Sequence, residues 1–584
     1  MTVPQRHPGN TDLKVALISL GITLAVGMYG IAQVGQKMRT GEWLPSNPGT
    51  WVRLRDWEWT GWHTAVAVLV AVVLLTQIIA TGRITRHLQA KREHVDAKAP
   101  LLGQGKELSL KAVTAKNKSA KYTTADEVGE KIGVAIATGL DMWADWRSTI
   151  LAIMNPGGGK TSALAIPWIL KAPGWVYATA NKSDLYLAVR LARERRGQFW
   201  CFDPQKVADA PATMVWNPLT YIHGPGRDCA SDADTKAIIQ ANLFADAART
   251  MDAKTDGFFE PAGIDLLSDL LLAAAVDNRP ITDVVYWINN PNQGAVPIGI
   301  LRKADWKMSA SRLGFAFQLN DETKRGVFAN AAKVVNFLFN REALQWIVED
   351  PANPRPVFDP HEFVRSGGDT LISLSKEGVG SLGPLVAALT VAVTEAAQEY
   401  AKTCRGGRID PTGVMILDEA ANVARIKMLP DWYSHFASQG IFMLVILQSR
   451  AQGRSAWGQD GIDKMSGAST HRLYGRGIDD MRLLEDLSKL CGPYDERTYS
   501  RSNSKPSGIF ATGHGSKSVN DQFHRVPILE PADIAALPDW RMLVQFGGGR
   551  PVLGRLLPYF LDEEMDAVVR ESIETYGPKV LVTV

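Results

Sequence analysis

Cysteine is scarce in this chain, and its four copies, Cys201, Cys229, Cys404 and Cys491, stand far apart with no C-x-x-C pair. That argues against both a zinc site and a disulfide scaffold, and suits a cytoplasmic setting for most of the protein. A charge excess is lacking too. The formal net charge is only +3 over 584 residues, so no whole-chain signature of nucleic-acid binding is present and partners have to be argued segment by segment. The 10 histidines are dispersed, and no Ser/His/Asp or Cys/His constellation stands out, which leaves little room for nucleophilic catalysis or for a metal beyond magnesium. There is no internal repeat.

Apolar residues are plentiful, at 46% of the chain. A chain of this length exceeds what one core can serve, so about two to four domains are expected. Two charge-free runs come first. VALISLGITLAVGMYGIAQV (15–34) and WHTAVAVLVAVVLLTQIIA (62–80) are each long enough to cross a hydrocarbon core as a helix, and Trp51, Trp57 and Trp59 precede the second as interfacial anchors. A cleaved signal peptide is the alternative for the first run, but no A-x-A-like site ends it and a second run follows. Two spans leave both ends on one side. Arg83, Arg86, Lys91 and Arg92 favour the cytoplasm there, although Lys37, Arg39, Arg53 and Arg55 between the runs weaken the bias.

The expected organisation is a two-span membrane region at 1–88, a basic connector at 89–131, a first part of a nucleotide domain at 132–231, an inserted all-α domain at 232–349 and the second part of the nucleotide domain at 350–584. Lysines 106, 111, 116, 118 and 121 mark the connector, read as a solvated linker or as a contact with anionic lipid or DNA. Strands at 148–155, 174–180 and 197–204 alternate with helices beginning near Thr161 and Ser183, the pattern of a parallel sheet covered on both faces. Alternation gives way to helical patterning and resumes at 370–375, 413–420, 441–449 and 471–477. The Ser-, Gly- and Asn-rich stretch 499–523 reads as a mobile loop, and the end, RMLVQFGGGRPVLGRLLPYF, as a hairpin returning to the sheet.

The chemistry begins at Asn155-Pro156-Gly157-Gly158-Gly159-Lys160-Thr161-Ser162, placed between an apolar strand and an apolar helix. Glycines let successive backbone N–H groups curl around phosphates, Lys160 reaches the outer phosphates and the Thr161 hydroxyl ligates Mg2+, so ATP is the expected ligand. One position departs from the pattern: Met154 stands where the first glycine is expected. Downstream, Val414-Met415-Ile416-Leu417-Asp418-Glu419 carries two carboxylates at the carboxyl end of a strand, where ligands gather in open α/β sheets. Asp418 would hold the magnesium and Glu419 would activate the attacking water. Gln448, at the end of the next strand, would sense the γ-phosphate; the alternative is a strand-end glutamine facing solvent. Lys182 and Asp184 share that sheet edge, and a helix cap at Ser183 explains them as well. Arg501, Lys505 and Lys517 are candidates for following a phosphate backbone, against a plain mobile loop.

These residues together resemble the type IV coupling proteins, the TraG/TraD-like ATPases of conjugation. The resemblance runs from the paired apolar segments through SALAIPWIL, Trp216-Asn217-Pro218-Leu219, the helical insertion, LDEAANVARIKMLPDWYSHFASQGIFMLVILQS, LLEDLSKLCG and ILEPADIAALPDW to the final strands. It implies a RecA-like P-loop NTPase domain, an all-α domain corresponding to the insertion and a homohexameric ring that hydrolyses ATP at the inner membrane. The implied partners are a relaxase-bound single-stranded DNA and a type IV secretion channel. An arginine from a neighbouring subunit would complete the site, with Arg425 and Arg450 close to the right elements. The competing readings are an FtsK/HerA-like double-stranded DNA pump and a nucleotide-stabilised substrate receptor without motor activity.

Overall fold

The computed structural model describes residues 94–119, 128–224, 232–248, 257–376, 382–423, 426–504 and 516–577, with short pieces between 29 and 76. The chain divides into two compact units, Met1–Ala97 and Lys98–Val584. The first apolar run falls largely outside the described residues of the first unit, the second is helical at 64–65 and 68–76, and among the described residues no helix is long and apolar enough to cross a membrane.

The second unit is built on one large mixed sheet. Its strands are β1 (Gly129–Ala135), β2 (Asp141–Asp145), β3 (Thr149–Ile153), β4 (Val176–Ala180), β5 (Phe199–Phe202), β6 (Thr370–Leu374), β7 (Gly413–Asp418), β8 (Ile441–Leu447), β9 (His471–Tyr474), β12 (Arg541–Phe546) and β13 (Val552–Arg555). They lie in the order β2-β1-β13-β12-β9-β3-β8-β7-β4-β6-β5. From β9 to β5 every neighbouring pair is parallel, and from β9 to β2 every pair is antiparallel. Residues of β3, β4, β6, β7 and β8 are buried throughout, as expected for parallel strands covered on both faces, and this is why they read as continuous apolar runs. The expected α/β fold with a large parallel sheet is what the chain adopts, and the expected terminal hairpin is β12–β13.

The α-helices include α1 (Leu110–Ser119), α2 (Ile166–Lys171), α3 (Ser183–Glu194), α4 (Ala233–Ala248), α5 (Phe259–Val276), α6 (Ile281–Asn289), α7 (Ala295–Lys303), α8 (Lys307–Gln318), α9 (Asp321–Val334), α10 (Arg341–Ile347), α11 (Pro360–Arg365), α12 (Gly383–Thr403), α13 (Arg450–Ala468), α14 (Met481–Cys491), α15 (Pro531–Ala535) and α16 (Glu563–Tyr576). Helices α4 to α10 follow one another between β5 and β6, where helical patterning displaces alternation in the sequence. The long α5 is apolar nearly all round, and α4, α6, α7, α8 and α9 pack against it.

Two expectations are corrected here. The basic stretch 89–131 is not simply a linker: α1 forms, Leu108 and Val113 are buried, and Gly129 already belongs to β1. Its lysines masked an amphipathic anchor, because long basic side chains can cover apolar surface while their charges stay wet. The stretch 499–523 is not a plain loop either. Its described residues, 499–504 and 516–523, lie within β10 (Pro493–Ser504) and β11 (Ser516–Pro527), antiparallel partners from Pro493 opposite Pro527 to Ser504 opposite Ser516 in a separate two-stranded sheet. Ser, Asn and charged residues run through its sequence without alternation, so no period-2 apolar signal announced it. Residues 505–515, including Lys505, lie outside the described residues.

Candidate functional site

Strand order brings the sequence candidates together. β8 lies between β3 and β7, with β4 beyond β7, so the carboxyl ends of four parallel strands meet at one edge. β3 leads into Asn155–Thr161, β7 ends at Asp418, β8 leads to Gln448 and β4 to Asn181. Gly157 and Gly159 adopt φ of +79° and +85°, conformations open to glycine at little cost. Thr161–Ala165 form a π-helical turn before α2 continues.

Lys160 is nearly buried, with Nζ 2.8 Å from Glu419 Oε1 and 3.1 Å from Asp418 Oδ1. Glu419 also accepts a hydrogen bond from Gln448 Nε2 at 2.7 Å, and another from Asn181 Nδ2. Gln448 therefore points into the site and not into solvent. Glu419 has φ +55°, a left-handed conformation that costs a glutamate about 1–3 kcal/mol and that tends to persist at functional sites.

The electrostatics follow from burial and from the charge count. Burial pushes the Asp418 carboxyl above its ordinary range, more than Lys160 restores it. Burial alone would lower the Lys160 ammonium, but the carboxylates of Asp418 and Glu419 outweigh it and hold it above its ordinary value. The two directions agree once the sharing is seen, because one ammonium serves two buried carboxylates. Asp418 Oδ1 has the ion pair but no hydrogen bond of good geometry. A buried, under-satisfied carboxylate oxygen beside a surplus negative charge is of the kind that fits a hard divalent cation.

Met154 is explained by its neighbour. It is fully buried, and a Cβ added to Gly475, just past β9, would come within 2.6 Å of Met154 Cβ. The missing glycine of the loop is thus matched by a glycine on the adjacent strand end. Met154 N–H donates to Leu447 O at 3.0 Å and Asn155 N–H to Arg476 O at 3.1 Å, so the loop's entry is tied to both flanking strands.

Not every candidate joins the site. Helix α3 starts at Ser183 with Lys182 as its cap residue and no side-chain capping bond, so the expected cap is absent. Arg450 pairs with Asp463 at 2.6 Å and Asp486 at 3.5 Å, and Arg425 lies outside the described residues. Arg501 and Lys517 sit on the β10–β11 ribbon. Two residues escaped the sequence reading. Asn181 was legible only as a polar residue at a strand end; Trp540, whose ring packs on Gly159, stood in the sequence only as the end of ILEPADIAALPDW, with no role at the loop.

Comparison with known proteins gives a consistent picture. Residues 413–539 match the family model described as the TraM recognition site of TraD and TraG. The conjugal transfer protein TraG of Agrobacterium fabrum (strain C58) is 23% identical over 434 residues, 72% of this chain and 62% of that protein. Its counterpart in Rhizobium radiobacter is 22% identical over 434 residues, 72% of this chain and 63% of that protein. The matched region thus spans under two thirds of these relatives' length. Among solved structures, the unbound bacterial conjugative coupling protein TrwBΔN70 aligns with a TM-score of 0.48 and 18% identity, over 76% of this chain and 91% of that one. The plasmid coupling protein TrwB in complex with ADP and Mg2+ gives 0.48 and 17%, over 76% and 92%.

Proposed function

We propose that this chain, which is similar to the TraG conjugal transfer proteins and matches the TraM recognition site of TraD and TraG, is an ATP-hydrolysing type IV coupling protein. It recruits a relaxase-bound DNA to a type IV secretion channel and drives single-stranded DNA through it. The observation that carries this reading is the convergence of Lys160, Asp418, Glu419 and Gln448 from three separate strand ends onto one charged cluster.

Within that reading, residues 155–162 wrap the phosphates and Lys160 exchanges its carboxylate partners for the outer phosphates. Mg2+, held by Thr161 and Asp418, would neutralise charge developing on the transferred phosphoryl group. Glu419, freed of Lys160 but still held by Asn181 and Gln448, accepts the proton of the attacking water. Gln448 loses or keeps that hydrogen bond according to occupancy, which gives β8 a way to report it. The order of β9-β3-β8-β7-β4 supports a RecA-like core. We take the segment 232–349 as its inserted all-α domain, a homohexamer as the working form, and the runs 15–34 and 62–80 as inner-membrane spans that leave the rest cytoplasmic.

The test is turnover. Purified full-length protein in detergent should hydrolyse ATP faster when single-stranded DNA is added, and Lys160→Ala and Glu419→Gln should each lower that rate by roughly a hundredfold or more. Nucleotide binding without hydrolysis would sink the motor and favour the receptor reading. Stimulation by double-stranded DNA alone would favour a double-stranded DNA pump.

A further inference from the structure

The phosphate loop is fastened at both ends to one short segment, residues 539–540. At its start, Asn155 N–H donates to Arg476 O at 3.1 Å, and the Arg476 guanidinium pairs with Asp539. At its end, the Trp540 indole lies against Gly159 so closely that a Cβ there would come within 2.5 Å of Cζ3 and 2.9 Å of Cε3. The ring also meets Phe560, edge to face at 5.8 Å, and packs against the hydrophobic core.

Trp540 itself has φ +61°, a left-handed conformation that bulky side chains rarely adopt, and its carbonyl accepts Leu556 N–H at 3.0 Å. The backbone is therefore held in an unfavourable well at the residue whose ring covers the phosphate loop. Such strain concentrates where surrounding structure fixes a side chain for a purpose. Trp540 is also the last residue of the connection between α15, which packs on α14, and β12, which enters the large sheet. The region matching the TraM recognition site of TraD and TraG ends at residue 539, its immediate neighbour.

We infer that Trp540 is a positioning residue that holds Gly159 in its left-handed conformation and relays nucleotide occupancy of the phosphate loop to the α15–β12 segment. This rests on the nucleotide-site reading of the loop. When phosphates draw the N–H groups of 157–161 inward, Gly159 moves relative to the ring, and the strained backbone at Trp540 passes that change to α15. A ring that merely filled space would stabilise the fold without this link.

The experiment uses the full-length protein in detergent with magnesium and a non-hydrolysable ATP analogue. In the unmodified protein, the analogue should slow amide exchange within 531–546 as well as within 155–165. Trp540→Ala should weaken analogue binding about tenfold and abolish the response in 531–546, while Trp540→Phe, which keeps an aromatic face, restores most of both. If Trp540→Ala does not fold, Trp540→Leu takes its place. Unchanged exchange at 531–546 in the unmodified protein overturns the inference, as does unchanged affinity in the alanine or leucine variant. Failure of the unmodified protein to bind the analogue at all overturns the nucleotide-site reading itself, a result distinguishable from the other two.

Discussion

His471 shows how one buried group contributes to the pH dependence of stability. It is fully buried on β9, with Nε2 3.1 Å from Ser148 Oγ, and burial pushes its pKa down to about 4, with Asp145 working against the shift and Lys116 with it. The unfolded chain takes up this proton near pH 6.5 and the folded chain only near 4, so between those values the unfolded state holds more protons and stability falls as pH drops. At pH 5 the loss is about 2 kcal/mol. Burial raises the Glu130 carboxyl to about 7 and makes it work in the opposite sense over the same window, so the His471 contribution is read as a difference in thermal midpoint. From pH 7 to pH 5 His471→Gln should gain stability relative to the unmodified protein, and an equal pH slope in the two removes the assignment. Met154 and Gly475 give a second test at this scale. Gly475→Ala places a methyl against Met154 and should cost about 1–3 kcal/mol, while adding Met154→Gly should recover part of it in a double-mutant cycle. Strictly additive losses would show that the two positions do not share space. The methionine was legible as a departure from a motif, but its compensation was not, because the glycine that accommodates it lies 321 residues away and is adjacent only through the β3–β9 pairing.

At the scale of elements, the buried strands were readable because a parallel sheet covered on both faces demands unbroken apolar runs, and β3, β4, β7 and β8 supply them. Polar devices that hold those elements together were not readable. Arg193 sits in α3 among Arg190, Arg195 and Arg196, a grouping that in sequence looks like a solvated basic face. In the fold it is fully buried. Its Nε donates to Thr370 Oγ1 at 2.7 Å, Nη1 to Ala172 O at 3.1 Å, and Nη2 to Gly174 O at 2.8 Å and Gly368 O at 2.9 Å. One guanidinium thus ties the end of α2, the entry to β4 and the start of β6, and burial lowers its pKa to about 10. Arg193→Met keeps much of the volume but strands buried carbonyls, so it should destabilise by about 3–5 kcal/mol. Denaturant unfolding monitored by circular dichroism measures this. A loss under about 1 kcal/mol would mean that water or rearrangement satisfies those carbonyls without the guanidinium. The β10–β11 ribbon marks the opposite case, since it is a strand pair whose sequence is rich in polar residues and leaves no alternating apolar pattern to read.

Across the whole molecule, the decisive fact is the distance in sequence that the sheet collapses. Lys160 and Glu419 are separated by 259 positions, and the helices from α4 to α10 lie between them in the chain. Yet β8 between β3 and β7 sets their strand ends side by side. The motifs could be read singly and their roles assigned by chemistry, but their convergence depends on a strand order that no local pattern encodes. That arrangement also explains why the charged cluster is poised and not relaxed. Two buried carboxylates share one lysine, and Glu419 holds a left-handed backbone, so a divalent cation bound there would offset a charge imbalance already present. If this cluster drives transfer in the cell, donors whose only copy carries Lys160→Ala should pass a marked mobile element at the level of donors lacking the protein. Lys182→Ala, at the same sheet edge but outside the cluster, should transfer normally. Counting recipients that acquire the marker distinguishes the outcomes. Unimpaired transfer with Lys160→Ala would separate the ATP site from conjugation even if the purified protein hydrolyses ATP, because the lysine that reaches the phosphates has no substitute among the described residues of the cluster.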